Sequence, residues 1–287
     1  MSPAELLESW LETRVPASAL AWLRERLEDT RRGASEADFF LAFGLTPRKT
    51  GREPLSLGDA ERASAEAARP GWRPESLRVD QAARTALLLS LASEDEARYV
   101  GTLERLVADA DEGELVVLYR ALPLYAHPKA HRGRAAEGIR TNMKTVFDAI
   151  ATDNPYPSEE LDDAAWNQLV VKCLFMGTKL IRVQGFDARN NAALAKILVD
   201  HAHERWAAGR PVSPEIWRSV GPFADGAVLA DLERVFATGT DVERAAVALA
   251  IRHNPNAEAL VYANRRHMDR WIAAHPTIEA IAATLPD

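Results

Sequence analysis

Residues 226–253, GAVLADLERVFATGTDVERAAVALAIRH, contain two helix-period segments separated by a short turn at Gly239–Thr240. In each segment the apolar residues repeat at the spacing of one helical face, and charged residues occupy the opposite face. The charged positions are Asp231, Glu233 and Arg234 in the first segment and Asp241, Glu243 and Arg244 in the second. This pattern predicts two paired amphipathic helices, like those of a HEAT-like array.

The helical period continues outward from this pair in both directions. Gln81–Ser93 and Glu94–Asp109 form a second helix–turn–helix pattern, and helices are also predicted at 4–13, 17–31, 35–43, 57–68, 112–122, 129–138, 139–152, 159–176, 188–208, 225–237, 240–253, 256–263 and 265–283. Leu180 to Val183 is the best candidate for a strand, and a single strand makes no sheet. We therefore predict an all-α protein. Its helical hairpins would stack as an irregular HEAT/armadillo-like α-solenoid; the alternative is a compact helical bundle, since no fixed repeat period runs along the chain.

Two stretches rich in glycine and proline interrupt the helical pattern. The first, Gly44 to Pro54, is predicted to be a loop. The second, RPGWRP at Arg69–Pro74, places two prolines and one glycine within six residues, which must interrupt regular structure. We place the domain boundary at the second break, which divides the chain into an N-terminal helical segment, 1–70, and a main helical domain, 71–287.

Composition excludes several classes of protein. The 287 residues include 35 Lys and Arg against 42 Asp and Glu, a net charge of −7 without any basic block, so a nucleic-acid partner is not expected. The single cysteine, Cys173, excludes an internal disulfide and a cysteine-based zinc cage. The acidic start of the chain does not resemble a signal peptide, and the longest apolar runs are too short to cross a bilayer. We therefore expect a cytoplasmic protein without membrane insertion.

The predicted helix 159–176 combines an apolar circumference with polar residues. Leu169, Val170, Cys173 and Phe175 are among the residues that cover most of its sides, which predicts a buried helix. The same helix contains Trp166, Asn167, Gln168 and Lys172, and buried amides and ammonium groups must find partners. These residues therefore indicate either a polar pocket or a satisfied core network, with the further option that Lys172 extends to solvent.

The predicted helix 188–208 is the best candidate for acid–base or metal chemistry. Asp200 and His203 lie three residues apart, and Arg189, Lys196 and Glu204 share their side of the helix. A carboxylate beside an imidazole suits proton transfer or a metal ion. A second acid and histidine pair, which a two-metal bundle needs, is not found. The alternative is a solvated charged face with a Lys196–Asp200 pair.

Two further segments contribute candidate residues to the middle third of the chain. Glu137, Arg140, Lys144 and Asp148 are predicted to share an outer helix face, with Asn142 away from that group. Asn154-Pro155-Tyr156-Pro157 must leave the helix, because residues before proline avoid the α region. This segment is either a pocket wall or a rigid connection. Nucleotide-binding loops, nucleophile elbows and zinc-protease motifs are absent from the sequence, so no cofactor, metal or catalytic residue is predicted.

Phrases in the middle third of the chain resemble a known family. They are AEGIRTNM at 136–143, VFDAIA at 146–151, NPYP at 154–157, WNQ at 166–168, FDARNN at 186–191, AHERWAAGR at 202–210 and the segment from Trp217 to Phe223. Together they resemble the EboA family, the metabolite traffic proteins of edge-biosynthesis (ebo) gene clusters. The resemblance covers roughly residues 115–225, a core within the main domain.

The resemblance implies a cytoplasmic accessory protein that acts in the biosynthesis or traffic of a small, lipid-linked secondary metabolite. Its partners would be other proteins of the same cluster, including a membrane prenyltransferase-like protein. We expect a non-catalytic protein that binds or hands over its ligand; the alternatives are a helical-repeat scaffold for proteins and an enzyme that uses Asp200 and His203. The candidate ligand-binding residues are Glu137, Arg140, Asn142, Asn154, Tyr156, Trp166, Asn167, Gln168, Lys172, Asp187, Arg189, Asn191, Asp200, His203, Glu204 and Trp206.

Overall fold

All regular elements are helical in the computed structural model of the chain, which describes residues 1–252 and 254–285. In these ranges the α-helices are α1 Pro3–Glu12, α2 Ala17–Arg31, α3 Glu36–Thr50, α4 Asp59–Ala68, α5 Val79–Leu89, α6 Glu96–Asp109, α7 Glu112–Arg120, α8 Arg132–Ile139, α9 Lys144–Ala151, α10 Tyr156–Glu160, α11 Asp163–Met176, α12 Ala192–Ala207, α13 Trp217–Val220, α14 Gly226–Thr238, α15 Asp241–Ile251, α16 Glu258–Ala274 and α17 Ile278–Ala282. Short 3-10 turns connect several of them, and no strand occurs within these ranges. The all-α prediction is confirmed; the HEAT-like stacking and the compact bundle both stay predictions.

The ends of the helices follow from local capping chemistry. Asp162 begins α11 by accepting a hydrogen bond from the amide of Ala165, and Asn191 begins α12 by accepting one from the amide of Leu194. Gly177 ends α11 with a φ of 67°, a left-handed conformation that glycine adopts without strain. The predicted helix 240–253 is observed as α15, and its last predicted residue, His253, lies outside the described residues.

Residue contacts divide the chain into two compact units, Met1–Leu161 (unit 1) and Asp162–Asp287 (unit 2). In unit 1, helix α5 is buried along almost its whole length, and α1, α2 and α3 pack against it. Helix α4 packs on α1, and α7 packs on both α5 and α9, so that it connects the later helices α8, α9 and α10 to this core. The boundary predicted at residue 70 therefore falls inside unit 1, because the first helices use α5 as their packing partner.

The predicted loop at Gly44–Pro54 is wrong in its first half, since α3 continues through Gly44 and Pro47 to Thr50. Pro47 has no amide hydrogen, so the carbonyl of Phe43, four residues earlier, lacks its helical partner. The side chain of Arg84 supplies the missing donor: its Nε lies 2.9 Å from the oxygen of Phe43. A tertiary hydrogen bond thus permits a proline inside this helix.

Two further sequence predictions are corrected in the middle of the chain. Leu180 to Val183 is not a strand, because Leu180–Arg182 forms a single 3-10 turn. The predicted helix 139–152 begins only at Lys144, so Glu137 and Arg140 lie on α8 or its cap, and Lys144 lies on α9. Their outer face accordingly consists of two separate ion pairs, Glu137–Arg140 at 2.8 Å and Lys144–Asp148 at 2.6 Å.

Helix α8 packs closely against its neighbours through Gly138. A Cβ atom at this position would lie 2.5 Å from the Cδ1 atom of Ile150 in α9 and 2.5 Å from the ring of Tyr119 in α7. Only glycine permits this approach, because Tyr119 is itself buried and has no free space to move into. The glycine of the phrase AEGIRTNM is therefore explained by packing.

In unit 2, helix α15 contacts α13, α14, α16 and α17 and forms the centre of the core. Asn254, just after α15, donates from Nδ2 to the carbonyl oxygens of Gly221 (2.7 Å) and Ala224 (2.9 Å). Its Oδ1 atom accepts the amide of Asn256 at 2.9 Å. Asn154 makes the same three kinds of bond after α9 in unit 1, so each unit closes a helix end with a buried asparagine that precedes a proline.

In the ranges 1–252 and 254–285, no helix has both the length and the hydrophobicity that crossing a bilayer requires.

Candidate functional site

Five of the predicted ligand-binding residues belong to unit 1. Asn154 is 3% exposed, and its side chain binds backbone groups of unit 1. Tyr156 is buried, and its hydroxyl donates to the carbonyl of Pro128 at 2.6 Å. Glu137, Arg140 and Asn142 are exposed. The Asn154–Pro157 segment leaves α9 as predicted, but Tyr156 and Pro157 begin α10, so the prediction that they lie outside a helix is wrong. Both uses of the segment, as a pocket wall or as a rigid connection, stay predictions.

The other predicted residues belong to unit 2, where three of the family-like phrases contact one another. Nδ2 of Asn191 lies 2.9 Å from Oδ1 of Asn167, and Nδ2 of Asn167 lies 3.3 Å from Oδ1 of Asn191. Asn190 connects to the third phrase: its Nδ2 lies 3.3 Å from the carbonyl oxygens of Arg218 and Ser219. These amides join α11, the start of α12 and α13, and thereby position α12.

Charged residues around this amide cluster form ion pairs. Arg189 lies with its guanidinium carbon 5.2 Å from the ring centroid of Trp166 and pairs with Asp163 at 2.9 Å. Asp187 forms a two-pronged pair with Arg218. Trp166 is fully buried, so its ring serves the core of unit 2.

The predicted pair of Asp200 and His203 is not formed. Asp200 binds Lys196 at 2.9 Å, which is the surface pair weighed as the alternative, and Nε2 of His203 lies 2.8 Å from Asp231 on α14. Arg189 precedes the start of α12 and so does not share the face of Asp200. Glu204 and Gln168 are exposed, and Lys172 is half-buried. Trp206 stacks on Trp217, with ring centroids 5.9 Å apart.

A cavity in unit 2 has a volume of about 600 Å³, and we call it the large cavity. Its walls are the end of α11, the turn at Gly177–Lys179, one face of α12, the segment Pro211–Glu215, the start of α15 and the chain after α17. The described lining residues are Cys173, Leu174, Phe175, Gly177, Thr178, Lys179, His201, Arg205, Pro211, Val212, Ser213, Pro214, Glu215, Thr240, Val242, Glu243, Thr284 and Leu285. Pockets of this size and mixed character suit small organic molecules.

The apolar wall of the large cavity includes an exposed aromatic ring. Phe175 is 71% exposed, and its ring lies 5.6 Å from that of His201, edge to face. The prediction that α11 is buried all round is therefore wrong on this side: Leu174 is half-buried and faces the cavity with Phe175. Apolar residues on every side of a helix predict burial, and here part of that surface lines a cavity.

The polar groups of the large cavity come mainly from α12 and the segment before α13. Burial lowers the pKa of His201, and the nearby cation Arg205 lowers it further, so the imidazole is neutral at neutral pH. Nε of Arg205 donates to the carbonyl of Pro211 at 2.9 Å. His201 and Arg205 lie four residues apart, on a different side of α12 from His203, and the sequence prediction missed them.

Glu215 is a buried carboxylate that shapes one wall of the large cavity. It is 4% exposed and accepts the amide hydrogens of Leu180 at 3.0 Å and Ile181 at 2.8 Å. These two bonds hold the turn that follows Lys179 against the segment before α13. Burial raises the pKa of Glu215 above its usual 4.5, although the two amide donors act in the opposite direction.

The raised pKa of Glu215 predicts a pH dependence of stability. The folded state binds this proton more tightly than the unfolded state, so the free energy of unfolding should rise as pH falls through the raised pKa and level off near 4.5. Urea unfolding of the wild type and of Glu215→Gln, followed by circular dichroism between neutral pH and pH 4.5, measures this contribution. The free energy of unfolding of the wild type minus that of Glu215→Gln should increase as the pH falls. A difference between the two proteins that is independent of pH would contradict the assignment.

The candidate residues predicted from the sequence are not among the described residues that line the large cavity. Several of those that belong to unit 2 instead form the amide cluster, surface ion pairs or, in the case of Trp206, the ring stack with Trp217. Within 1–252 and 254–285, no group of three His, Cys, Asp or Glu side chains is arranged to hold a metal ion.

Comparison with known proteins places the chain in a family. No curated protein and no solved structure matches it. The sequence model of the family described as "Metabolite traffic protein EboA" matches residues 3–221, which includes all of unit 1 except its first two residues, and unit 2 through α13. The match contains the amide cluster and the part of the large cavity between Cys173 and Glu215. The chain therefore belongs to the EboA family.

Proposed function

We propose that this protein is a non-catalytic accessory protein of the cytoplasm that binds a small metabolite in the large cavity and hands it over during biosynthesis or traffic. The family description, metabolite traffic, supports a role in moving a compound. The observation that carries the proposal is the large cavity itself, with a volume of about 600 Å³, an exposed phenylalanine and several polar groups on its walls.

The proposal extends to the ligand and the partners that the family resemblance implies. The ligand would be a lipid-linked secondary metabolite, whose apolar part would contact Phe175 and Leu174. Other proteins of the same gene cluster, including a membrane prenyltransferase-like protein, would deliver or receive it. An enzymatic role is less well supported, because Asp200 and His203 bind different partners.

Native mass spectrometry of the protein purified from its own organism tests the proposal. We expect the wild type to retain a small molecule. Leu174→Trp places a much larger side chain in the cavity, so this variant should no longer retain the small molecule. Phe175→Ala should weaken the affinity for the ligand about tenfold or more, and so lower the retained fraction, since burying a phenylalanine side chain contributes roughly 1.5–3 kcal/mol.

Phe223→Ala is the matched control. Phe223 is a partly exposed phenylalanine of the same unit and is not among the described residues that line the large cavity, so its removal should leave the ligand bound. A wild-type protein without a ligand would favour the protein scaffold instead. A ligand that Leu174→Trp and Phe175→Ala both retain would show that the large cavity is not the binding site.

A further inference from the structure

A second cavity lies beside the large cavity in unit 2. It has a volume of about 430 Å³ and is lined by Trp206, Arg210 and Arg234 among others, and we call it the basic cavity. Pro211, Val212 and Glu243 line both cavities, so the two are adjacent. A ligand longer than one cavity could occupy both, across the wall that these shared residues form.

The basic cavity is built on a stack of rings. Trp206 lies on the buried ring of Trp217, and the guanidinium carbon of Arg234 lies 4.4 Å from the ring centroid of Trp206. This cation–π contact restricts Arg234 to one side of the cavity while leaving its N–H donors available at the edges. Gly209, with a φ of 63°, turns the chain at the end of α12, and Arg210 follows it on the cavity wall.

Positive charge exceeds negative charge in the two cavities. Their described lining residues include four permanent cations, Lys179, Arg205, Arg210 and Arg234, against two carboxylates, Glu215 and Glu243. This local excess contrasts with the whole chain, whose net charge is −7.

Both carboxylates already accept hydrogen bonds from the protein. Glu215 accepts the two amides described above, and Glu243 accepts the amide and hydroxyl of Thr240 in the capping box of α15. No carboxylate in the described part of the chain forms an ion pair with Arg205, Arg210 or Arg234. The guanidinium groups therefore remain available for an anion from outside.

From this charge and shape we infer that the ligand is an amphipathic organic anion. Its apolar part would lie in the large cavity against Leu174 and Phe175, and its carboxylate or phosphate group would bind Arg210 and Arg234 in the basic cavity. Guanidinium groups bind both kinds of anion through paired N–H donors, which makes them the suitable receptors. The inference rests on the proposed function, because it assigns the chemical class of the ligand for the same site.

Calorimetric titration of the purified full chain with three ten-carbon probes tests the inference. The probes are decyl phosphate, decanoate and the uncharged decanol. The two anions are used below their micelle concentrations, and decanol is used below its solubility limit. Both anions should bind at least tenfold more tightly than decanol. The ratio between the two anions then distinguishes a phosphate from a carboxylate ligand.

Variants separate the charged end from the apolar end. In Arg210→Gln/Arg234→Gln the affinity for the anions should fall to that of decanol, whereas the affinity for decanol should not change. Arg270→Gln, at an exposed arginine of α16 that is not among the described residues lining either cavity, should have no effect. Leu174→Trp should weaken all three probes.

Two results would overturn the inference, and they differ in their meaning for the proposed function. If all three probes bind equally and Leu174→Trp weakens them, the anion site is wrong and the large cavity still binds a ligand. If no probe binds, or if Leu174→Trp has no effect on any of them, both the anion site and the proposed use of the large cavity are contradicted.

Discussion

Replacement of Asn154 by alanine is expected to lower the free energy of unfolding by roughly 3 kcal/mol, since an unsatisfied buried group costs about 1–3 kcal/mol. The amide nitrogen of Asn154 donates to the carbonyl oxygens of Tyr119 (3.1 Å) and Ala149 (3.0 Å). Its Oδ1 atom accepts the amide of Tyr156 at 3.0 Å. Alanine removes all three of these bonds in a site where the side chain is only 3% exposed.

Asn142→Ala is the matched control for Asn154→Ala. Both asparagines belong to the same family-like region of unit 1, but Asn142 is exposed, so its replacement should change the stability by less than about 0.5 kcal/mol. Urea unfolding followed by circular dichroism gives both values. Equal stabilities of Asn154→Ala and the wild type would show that Asn154 does not hold the end of α9 and would return it to the ligand-binding candidates.

Replacement of Arg84 by alanine is expected to have an even larger effect, a loss of roughly 3–5 kcal/mol, because it removes one partner of a buried ion pair. Arg84 pairs with Glu114 at 2.8 Å and donates to the carbonyl of Phe43, which Pro47 leaves without a helical donor. The side chain of Arg84 is 6% exposed, and the loss would leave Glu114 without its cation.

The exposed pair of Arg24 and Glu12 supplies the control for Arg84→Ala. Both of its side chains are about half exposed, so Arg24→Ala should cost at most about 1 kcal/mol. The contribution of the proline can be measured separately. Pro47→Ala restores an amide hydrogen for Phe43, so Arg84→Ala should cost about 1 kcal/mol less in that background. Identical costs in the two backgrounds would contradict the role of Arg84 as the substitute donor.

These expectations change how the family-like phrases are interpreted. Asn154 and Gly138 hold neighbouring helices of unit 1 together. The amides Asn167, Asn190 and Asn191 join three helices of unit 2. A phrase that is specific to a family can therefore reflect the requirements of folding. The large cavity lies on other sides of the same helices, which receive their positions from these contacts.

Local pattern was sufficient to predict that the chain is helical and where many of its helices begin. The acidic start of α7 and its apolar run predicted a helix at 112–122, and the structure has Glu112–Arg120. Leu180–Val183, the best candidate for a strand, contains a short 3-10 turn instead, because four apolar or basic residues fit a short turn equally well. The prediction ended α3 too early because of Pro47. The energetic cost of a proline inside this helix depends on a replacement donor, Arg84, which lies 37 residues away in the sequence.

Helical class and capping depend on interactions within a few residues, so they can be read directly from the order of the amino acids. The partners of Asn154 and Arg84, and the cavity beside Phe175, depend on distances between helices that are far apart in sequence. An apolar residue has the same sequence signature whether it faces a neighbouring helix or a cavity. For that reason the sequence indicated which polar residues of the middle third were unusual, but not whether each one served a binding site or the core. The large and basic cavities depend on how the helices of unit 2 pack, and only the tertiary structure decides that.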